Sequence, residues 1–415
     1  MPSIVHFLTS IVHFLCATML LPLAIAIVHF SAGSPPVLAV PVPAVPAYNL
    51  SVGRVQLAGA TAGRFALFAG GYDASGKDSA VVDVLDTQSW AWSTSALSAG
   101  RGVMGAAGLV APNGSAIAAF AGGKHAHANR TDVVDFALFA HDAPPGAPPA
   151  WRTARLRRPR SMVAVVPSAD GSLLFFAGGE YQENEANQTV DECSDTVEVW
   201  DVAAADWAPV SPLTLSQPRK KLAAAALADG RVLFGGGYLS GVGNVATVDT
   251  YDAKAHAWGA TANLSTPRFR LQAATVPAAP GGGGGGDAAL FISGQGCDWT
   301  CATADLFDGS GGKAKWSVTD MVHGRYEFAA IPVGGLVVVA GGKQPRPIGI
   351  DPHVIDVFDP AIGSWRSGSY GIQTPRFYGA GAGAAASPYG PVAIFAGGID
   401  GGDFSSIDFV PTTGL

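Results

Sequence analysis

Seven arginine residues recur along this chain and are its residues best suited to bind an acidic ligand. They are Arg54, Arg101, Arg160, Arg219, Arg268, Arg325 and Arg376. A guanidinium group pairs with a carboxylate through two parallel hydrogen bonds, so an arginine ring around one mouth of a central channel would form an anion site. Because the residue recurs in every repeat, a structural pairing with an aspartate or a carbonyl of a neighbouring repeat is the favoured alternative.

Two other segments have side chains suited to metals but lack a complete ligand set. His125 and His127 lie two residues apart, so on an extended segment both would point to the same side. The segment Glu180–Asp195 has six acidic residues, which would suit Ca²⁺ or a basic partner, but it lacks the ligand spacing of an EF-hand loop. We therefore predict a solvated acidic loop and neither a metal nor a cofactor.

The four cysteines have different expected fates. Cys297 and Cys301 flank three residues of one loop, and such a loop can bring two thiols within bridging distance. Cys16 lies in the N-terminal apolar segment, and Cys193 is left over as a free thiol or an intermolecular partner. A metal at the first pair would need further ligands nearby, so we predict a disulfide there.

The N-terminal region is expected to direct export. Residues 4–30 are apolar, uncharged apart from histidine, and long enough to cross a bilayer. A small-residue site for cleavage follows at 31–33, so we predict that 1–33 is a signal peptide or, alternatively, a membrane anchor. A misassigned start of the coding sequence is the third alternative, because the tetrapeptide Ile-Val-His-Phe occurs three times there. The Pro-rich segment 34–46 is a linker, and 47–415 is the remaining domain.

Five Asn-x-Ser/Thr sequons also favour a secreted or membrane-anchored protein outside the cytoplasm. Each lies in an expected turn or loop and is a candidate glycosylation site. They are Asn49, Asn113, Asn129, Asn187 and Asn263.

Composition and charge argue against a nucleic-acid partner and against a disordered chain. The formal net charge is −7, and the one basic cluster, Arg152–Arg160, reads as a solvated loop rather than a basic stripe. Apolar residues make up 48% and charged residues 14%, which indicates many short buried strands. We predict an all-β protein.

The strands that position these residues belong to a sequence repeat of about fifty residues. Each repeat contains an apolar run, a Gly-Gly pair, an apolar–acidic–apolar strand and a Trp. The pairs begin at Gly70, Gly122, Gly178, Gly236, Gly341 and Gly397, and a degenerate copy is Gly294-Gln295-Gly296. A period near fifty is typical of radial repeats. The two apolar runs of a repeat predict inner strands buried on both faces, and the Gly pair permits positive φ and close backbone approach.

This recurring combination resembles the kelch repeat over nearly the whole chain beyond residue 48. The resemblance implies a β-propeller with one four-stranded blade per repeat, hence seven blades, or six if the degenerate copy does not count. The last repeat lacks a fourth strand and a Trp. The segment Tyr48–Val52 aligns with the missing strand, so we predict that an N-terminal strand closes the last blade and removes an exposed edge.

Two functions remain open. A secreted or surface-tethered recognition module would bind a protein or glycan through loops that differ between blades, with a membrane tether through residues 4–30 as an option. An extracellular carbohydrate-active or galactose-oxidase-like enzyme would need convergent His, Tyr or acidic side chains at the channel mouth. Galactose oxidases resemble this chain in their propeller but use an adjacent Tyr-His pair, which this sequence lacks. The sequence therefore favours binding over catalysis.

Overall fold

The chain forms a seven-bladed β-propeller in the computed structural model, with the first strands of the blades arranged around a central channel. The structure describes residues 45–126, 129–182, 191–277, 287–297, 300–309, 315–343, 353–368, 371–399, 404–413 and 415. Every strand pairing within these residues is antiparallel, as expected for consecutive strands joined by short turns. No helix occurs among them, and so no helix there could span a membrane.

The blades follow one another along the chain, and each adds strands from the channel outwards. Blade one consists of Ala58–Ala62, Phe65–Ala69, Val81–Asp86 and Ala91–Ala96, and blade two of Gly105–Val110, Ala116–Ala121, Val133–Phe139 and Ala150–Arg155. In blades three and four the outer strand is split: Ala164–Pro167, Leu173–Ala177, Thr196–Asp201, Asp206–Trp207 and Leu213–Thr214, then Ala223–Ala226, Arg231–Gly235, Thr247–Asp252, Ala257–Trp258 and Ala262–Asn263.

The remaining blades complete the ring. Blade five consists of Gln272–Pro277, Asp287–Ile292, Thr303–Asp308 and Lys315–Asp320, blade six of Tyr326–Val333, Leu336–Lys343, Asp356–Asp359 and Ser364–Ser367, and blade seven of Ala380–Ala384, Val392–Ala396 and Ile407–Pro411. Two small hairpins, Glu180–Gln182 with Asp191–Cys193 and Tyr238–Leu239 with Gly243–Asn244, extend blades three and four.

The N-terminal segment closes blade seven, in a shorter form than a full strand. Asn49 forms a single antiparallel bridge with Ser406, and the Leu50 N–H donates to the Ser405 carbonyl at 2.7 Å. Leu50 is 4% exposed and packs in the core between blades seven and one. Every arginine of the ring is preceded, four residues earlier, by such a buried apolar residue: Leu50, Leu97, Leu156, Leu215, Leu264, Met321 and Ile372.

The glycine pair joins each blade to the next. The second residue of each pair donates its N–H to the carbonyl of the arginine that opens the following blade, and Gly398 donates to Arg54 at 2.9 Å to close the ring. Both residues of each pair have positive φ, and a Cβ on Gly122 would lie 2.2 Å from the Arg160 carbonyl oxygen. Glycine is therefore required by backbone conformation and by the close approach of the neighbouring blade.

The degenerate copy in blade five was misaligned from the sequence. The residues equivalent to the Gly pair are Ser293 and Gly294, because Ser293 has a φ of 47° and the Gly294 N–H donates to Arg325 at 3.0 Å. The Ser293 hydroxyl bonds the carbonyls of Cys301 and Arg325, which stabilises a conformation that L side chains rarely adopt. The inserted glycines 281–286 lie outside the described residues.

The core of the described residues consists of seven apolar clusters, each of which lies between two adjacent blades. Tryptophan side chains of the fourth strands contribute to them: Trp151 of blade two packs against the cluster between blades one and two, and its indole N–H donates to Ser95 Oγ at 2.8 Å. Phe65 of blade one stacks on Phe139 of blade two with ring centroids 3.8 Å apart. Each blade buries both faces, which explains its near-continuous apolar inner strands.

Candidate ligand site at the channel mouth

The arginine ring lies inside the blades rather than on the channel surface. The side chain of every arginine in the ring is at most 2% exposed. Each guanidinium pairs with the acidic residue of its own blade's third strand. The partners, in blade order, are Asp83, Asp135, Glu198, Asp249, Asp305, Asp356 and Asp408.

Backbone carbonyls accept hydrogen bonds from other N–H groups of these arginines. In blade two, Arg101 donates from Nε to the Gly122 carbonyl at 2.8 Å and from Nη1 to Asp135 Oδ2 at 2.9 Å. Burial lowers the pKa of Arg101, and the Asp135 charge opposes that shift. This geometry gives the ring a structural task, holding the channel end of each blade together, and leaves no exposed guanidinium for a ligand.

A second ring, which the sequence analysis missed, does face the channel. We call it the inner ring; it contains the residue two positions after each arginine. Its members are Gln56, Val103, Met162, Lys221, Arg270, Glu327 and Tyr378, and all seven line one cavity of about 360 Å³ at this end of the channel. The constant offset from the arginines was visible in the sequence, but the differing side chains concealed the shared position.

The backbone of the inner ring is the same in every blade. All seven residues have positive φ, between 52° and 58°. Four of the seven neighbouring pairs are linked by a hydrogen bond from N–H to carbonyl, as from Val103 to Gln56 at 3.1 Å and from Gln56 to Tyr378 at 2.9 Å across the ring closure. Positive φ in non-glycine residues strains the backbone and clusters at functional sites. One backbone therefore presents seven different side chains to one cavity.

Charges are confined to one side of the inner ring. Arg270 Nη1 lies 2.5 Å from Glu327 Oε1, whereas Lys221 forms no ion pair among the described residues. Burial, assisted by the Arg270 charge, lowers the pKa of Lys221 to about 8. Burial and the Glu327 charge raise the pKa of Tyr378 to about 12, so its hydroxyl stays protonated at neutral pH. The opposite side of the ring contains the apolar Val103 and Met162.

Replacing Lys221 with methionine should stabilise the fold, because it removes a partly desolvated cation. We expect the free energy of unfolding at pH 7 to rise by roughly 1–3 kcal/mol, as the shifted pKa implies after allowance for solvent screening. In the unaltered protein, the unfolded state binds more protons than the folded state between pH 8 and 10.5, so stability should increase with pH there. Denaturant titrations at pH 7 and 9.5 check both effects, and a less stable Lys221→Met variant would contradict them.

The cysteines and sequons singled out in the sequence do not line the inner-ring cavity. Cys297 and Cys301 are joined by a disulfide with Cα atoms 5.0 Å apart, and Cys193 is a buried free thiol. The sequons Asn49, Asn113, Asn129 and Asn263 are exposed, and Asn187 lies outside the described residues.

The two segments considered for metals are occupied by protein contacts where the structure describes them. His125 Nδ1 lies 3.2 Å from Asp78 Oδ2, and His127 falls outside the described residues. Glu180, expected in a solvated loop, is instead buried and binds Arg130 and Lys220, each at 2.7 Å. Within the described ranges, no group of three or more His, Cys, Asp or Glu side chains could hold a metal ion. Neither protein-family models nor curated protein sequences give a match to this chain.

Proposed function

We propose that this protein is a secreted or surface-tethered recognition module of the kelch-repeat type, which binds a protein or glycan at the channel-mouth face. The observation that carries the proposal is the inner ring, where seven equivalent backbone positions present seven different side chains to one cavity. The arginine ring, which holds the scaffold together, has the same residue type in all seven blades, whereas the inner ring does not. Variation at a fixed backbone position is what a specific ligand requires.

An extracellular setting is supported by three features. The apolar segment 4–30 suits a signal peptide or a tether, and four sequons are exposed in the folded domain. The Cys297–Cys301 disulfide is typical of oxidising compartments. Digestion of the secreted protein with an N-glycosidase would test this location through a loss of mass.

A carbohydrate-active enzyme is the second candidate, favoured by one feature of the same cavity. Glu327, Tyr378 and Lys221 come from three different blades and line this cavity. They provide a carboxylate, a phenol hydroxyl and an amine, which are groups that can transfer protons. Their electrostatic coupling, seen in the raised pKa of Tyr378, is of the kind found at catalytic sites. Only the turnover assay below separates this function from binding.

The test is an array of glycans and extracellular protein domains, probed with the full chain produced by a secreting eukaryotic host. We expect a restricted set of positive spots for the unaltered protein and for Lys315→Met, which removes an exposed lysine on the outer strand of blade five. Lys221→Met should lose these spots. Silence across the array, together with release of product from sugars incubated with the protein, would overturn binding in favour of catalysis.

A further inference from the structure

We propose that the inner ring binds a sugar with a single negative charge, a uronic acid at the end of a glycan, with Lys221 contacting the carboxylate. This inference rests on the proposed recognition function and names its ligand class. The charge of the ring, the unpaired state of Lys221 and the side chains around it support this ligand class.

The charge of the inner ring matches a monoanion. Lys221 and Arg270 contribute two positive charges, Glu327 contributes one negative charge, and the other four members are uncharged at neutral pH. The ring is therefore left with one net positive charge. A carboxylate neutralises it, whereas a phosphate with two negative charges would leave an excess negative charge in a partly desolvated cavity.

Lys221 is the cation available for that carboxylate. The Arg270 guanidinium is already held by Glu327 at 2.5 Å, and the neighbouring Lys220 binds Glu180 at 2.7 Å. Lys221 forms no ion pair among the described residues, and its Nζ lies 5.7 Å from the Phe269 ring centroid. An ammonium group without a partner, partly removed from water, gains more from a ligand anion than an exposed one does.

The surroundings of Lys221 suit a sugar ring better than a flexible peptide side chain. Two aromatic residues, Phe328 and Tyr378, line the cavity itself. An aromatic ring can pack against the apolar face of a sugar. Gln56 and Glu327 line the same cavity and can accept hydrogen bonds from hydroxyl groups. The cavity, about 360 Å³, lies in the usual range for small-molecule sites.

The experiment is a calorimetric or NMR titration of the secreted full chain with three probes: glucuronate, glucose and glucose 6-phosphate. We expect glucuronate to bind most tightly. Lys221→Met should weaken glucuronate binding at least tenfold, whereas Lys221→Arg, which keeps the charge, and the distant control Lys315→Met should stay within threefold.

The pH dependence of glucuronate binding distinguishes a direct contact by Lys221 from a merely structural role, which would not make binding depend on the Lys221 proton. Besides the ligand, Lys221 faces charges from Arg270, Glu327, Glu180 and Lys220. Loss of its proton should weaken glucuronate binding about tenfold between pH 7 and 9, and Lys221→Arg should remove that dependence. Equal binding of glucose, tighter binding of glucose 6-phosphate, or unchanged binding by Lys221→Met would each overturn the inference. If the array also detects a neutral ligand, the recognition function survives; if array and titrations are both silent, it fails as well.

Discussion

Replacing Arg101 with methionine is expected to destabilise the propeller by about 3–5 kcal/mol, since it removes one partner of a buried ion pair. Arg101 is 0% exposed and Asp135 is 1% exposed. Among the described residues, the substitution leaves the buried Asp135 carboxylate with the Ser98 N–H as its one donor, at 3.2 Å. It also leaves the Gly122, Ala99 and Phe120 carbonyls without their guanidinium donors.

The matched control is an exposed arginine–aspartate pair of the same blade. Arg155 Nη1 lies 2.6 Å from Asp132 Oδ1, but the Arg155 side chain is 72% exposed. Arg155→Met should change stability by less than about 1 kcal/mol, as is typical of surface ion pairs. Equilibrium unfolding in guanidinium chloride measures both variants.

A double variant separates loss of the pair from loss of packing. Arg101→Met with Asp135→Leu removes both charges, so it should recover part of the stability lost in Arg101→Met. Equal midpoints for Arg101→Met and Arg155→Met would show that the arginine ring does not hold the blades together.

Leu50→Ala is the second substitution with a large expected effect, a loss of about 2–5 kcal/mol. Leu50 is 4% exposed and packs with residues of blades one and seven, where the two ends of the chain meet. Blade seven has three strands of its own in the described residues, and the segment around Asn49 pairs with its third-strand edge. A cavity here loosens the contact that closes the ring.

The control for Leu50→Ala lies two residues further along the same segment. Val52 is 39% exposed, so Val52→Ala should have an effect of less than about 0.5 kcal/mol. Limited proteolysis adds a local readout: cleavage between residues 45 and 54 should accelerate in Leu50→Ala and not in Val52→Ala. Unchanged unfolding and cleavage of Leu50→Ala would mean that the N-terminal segment does not close the ring.

The scaffold could largely be predicted from the sequence because its features recur. The apolar runs, the glycine pairs and the third-strand acids appear in successive copies, so counting predicts seven blades, or six without the degenerate copy, and also the partner for the last blade. The expected partner of each arginine, an aspartate or carbonyl of a neighbouring repeat, was wrong in its location, because each arginine pairs with the acid of its own blade. Arg54 and Asp83, for example, are 29 residues apart, and only the antiparallel register brings them together.

Single departures from the repeat misled the alignment. Ser293 occupies a position that glycine has in the other blades, and its side-chain hydrogen bonds stabilise a positive φ. The buried Glu180 was likewise assigned to a solvated loop, because its partners Arg130 and Lys220 come from two other blades. Local pattern cannot show such partners.

The sequence by itself determined the repeat, the all-β class and the scaffold residues, because each of these depends on local spacing and on burial within a blade. Only the tertiary structure decided where a ligand could bind. The inner-ring residues are separated by a whole repeat along the chain, yet closure of the propeller brings them around one cavity. Glu327 pairs with Arg270 and leaves Lys221 without an ion pair among the described residues. The sequence does not show which of the two cations Glu327 contacts, because the three residues come from three blades that meet only in the folded protein.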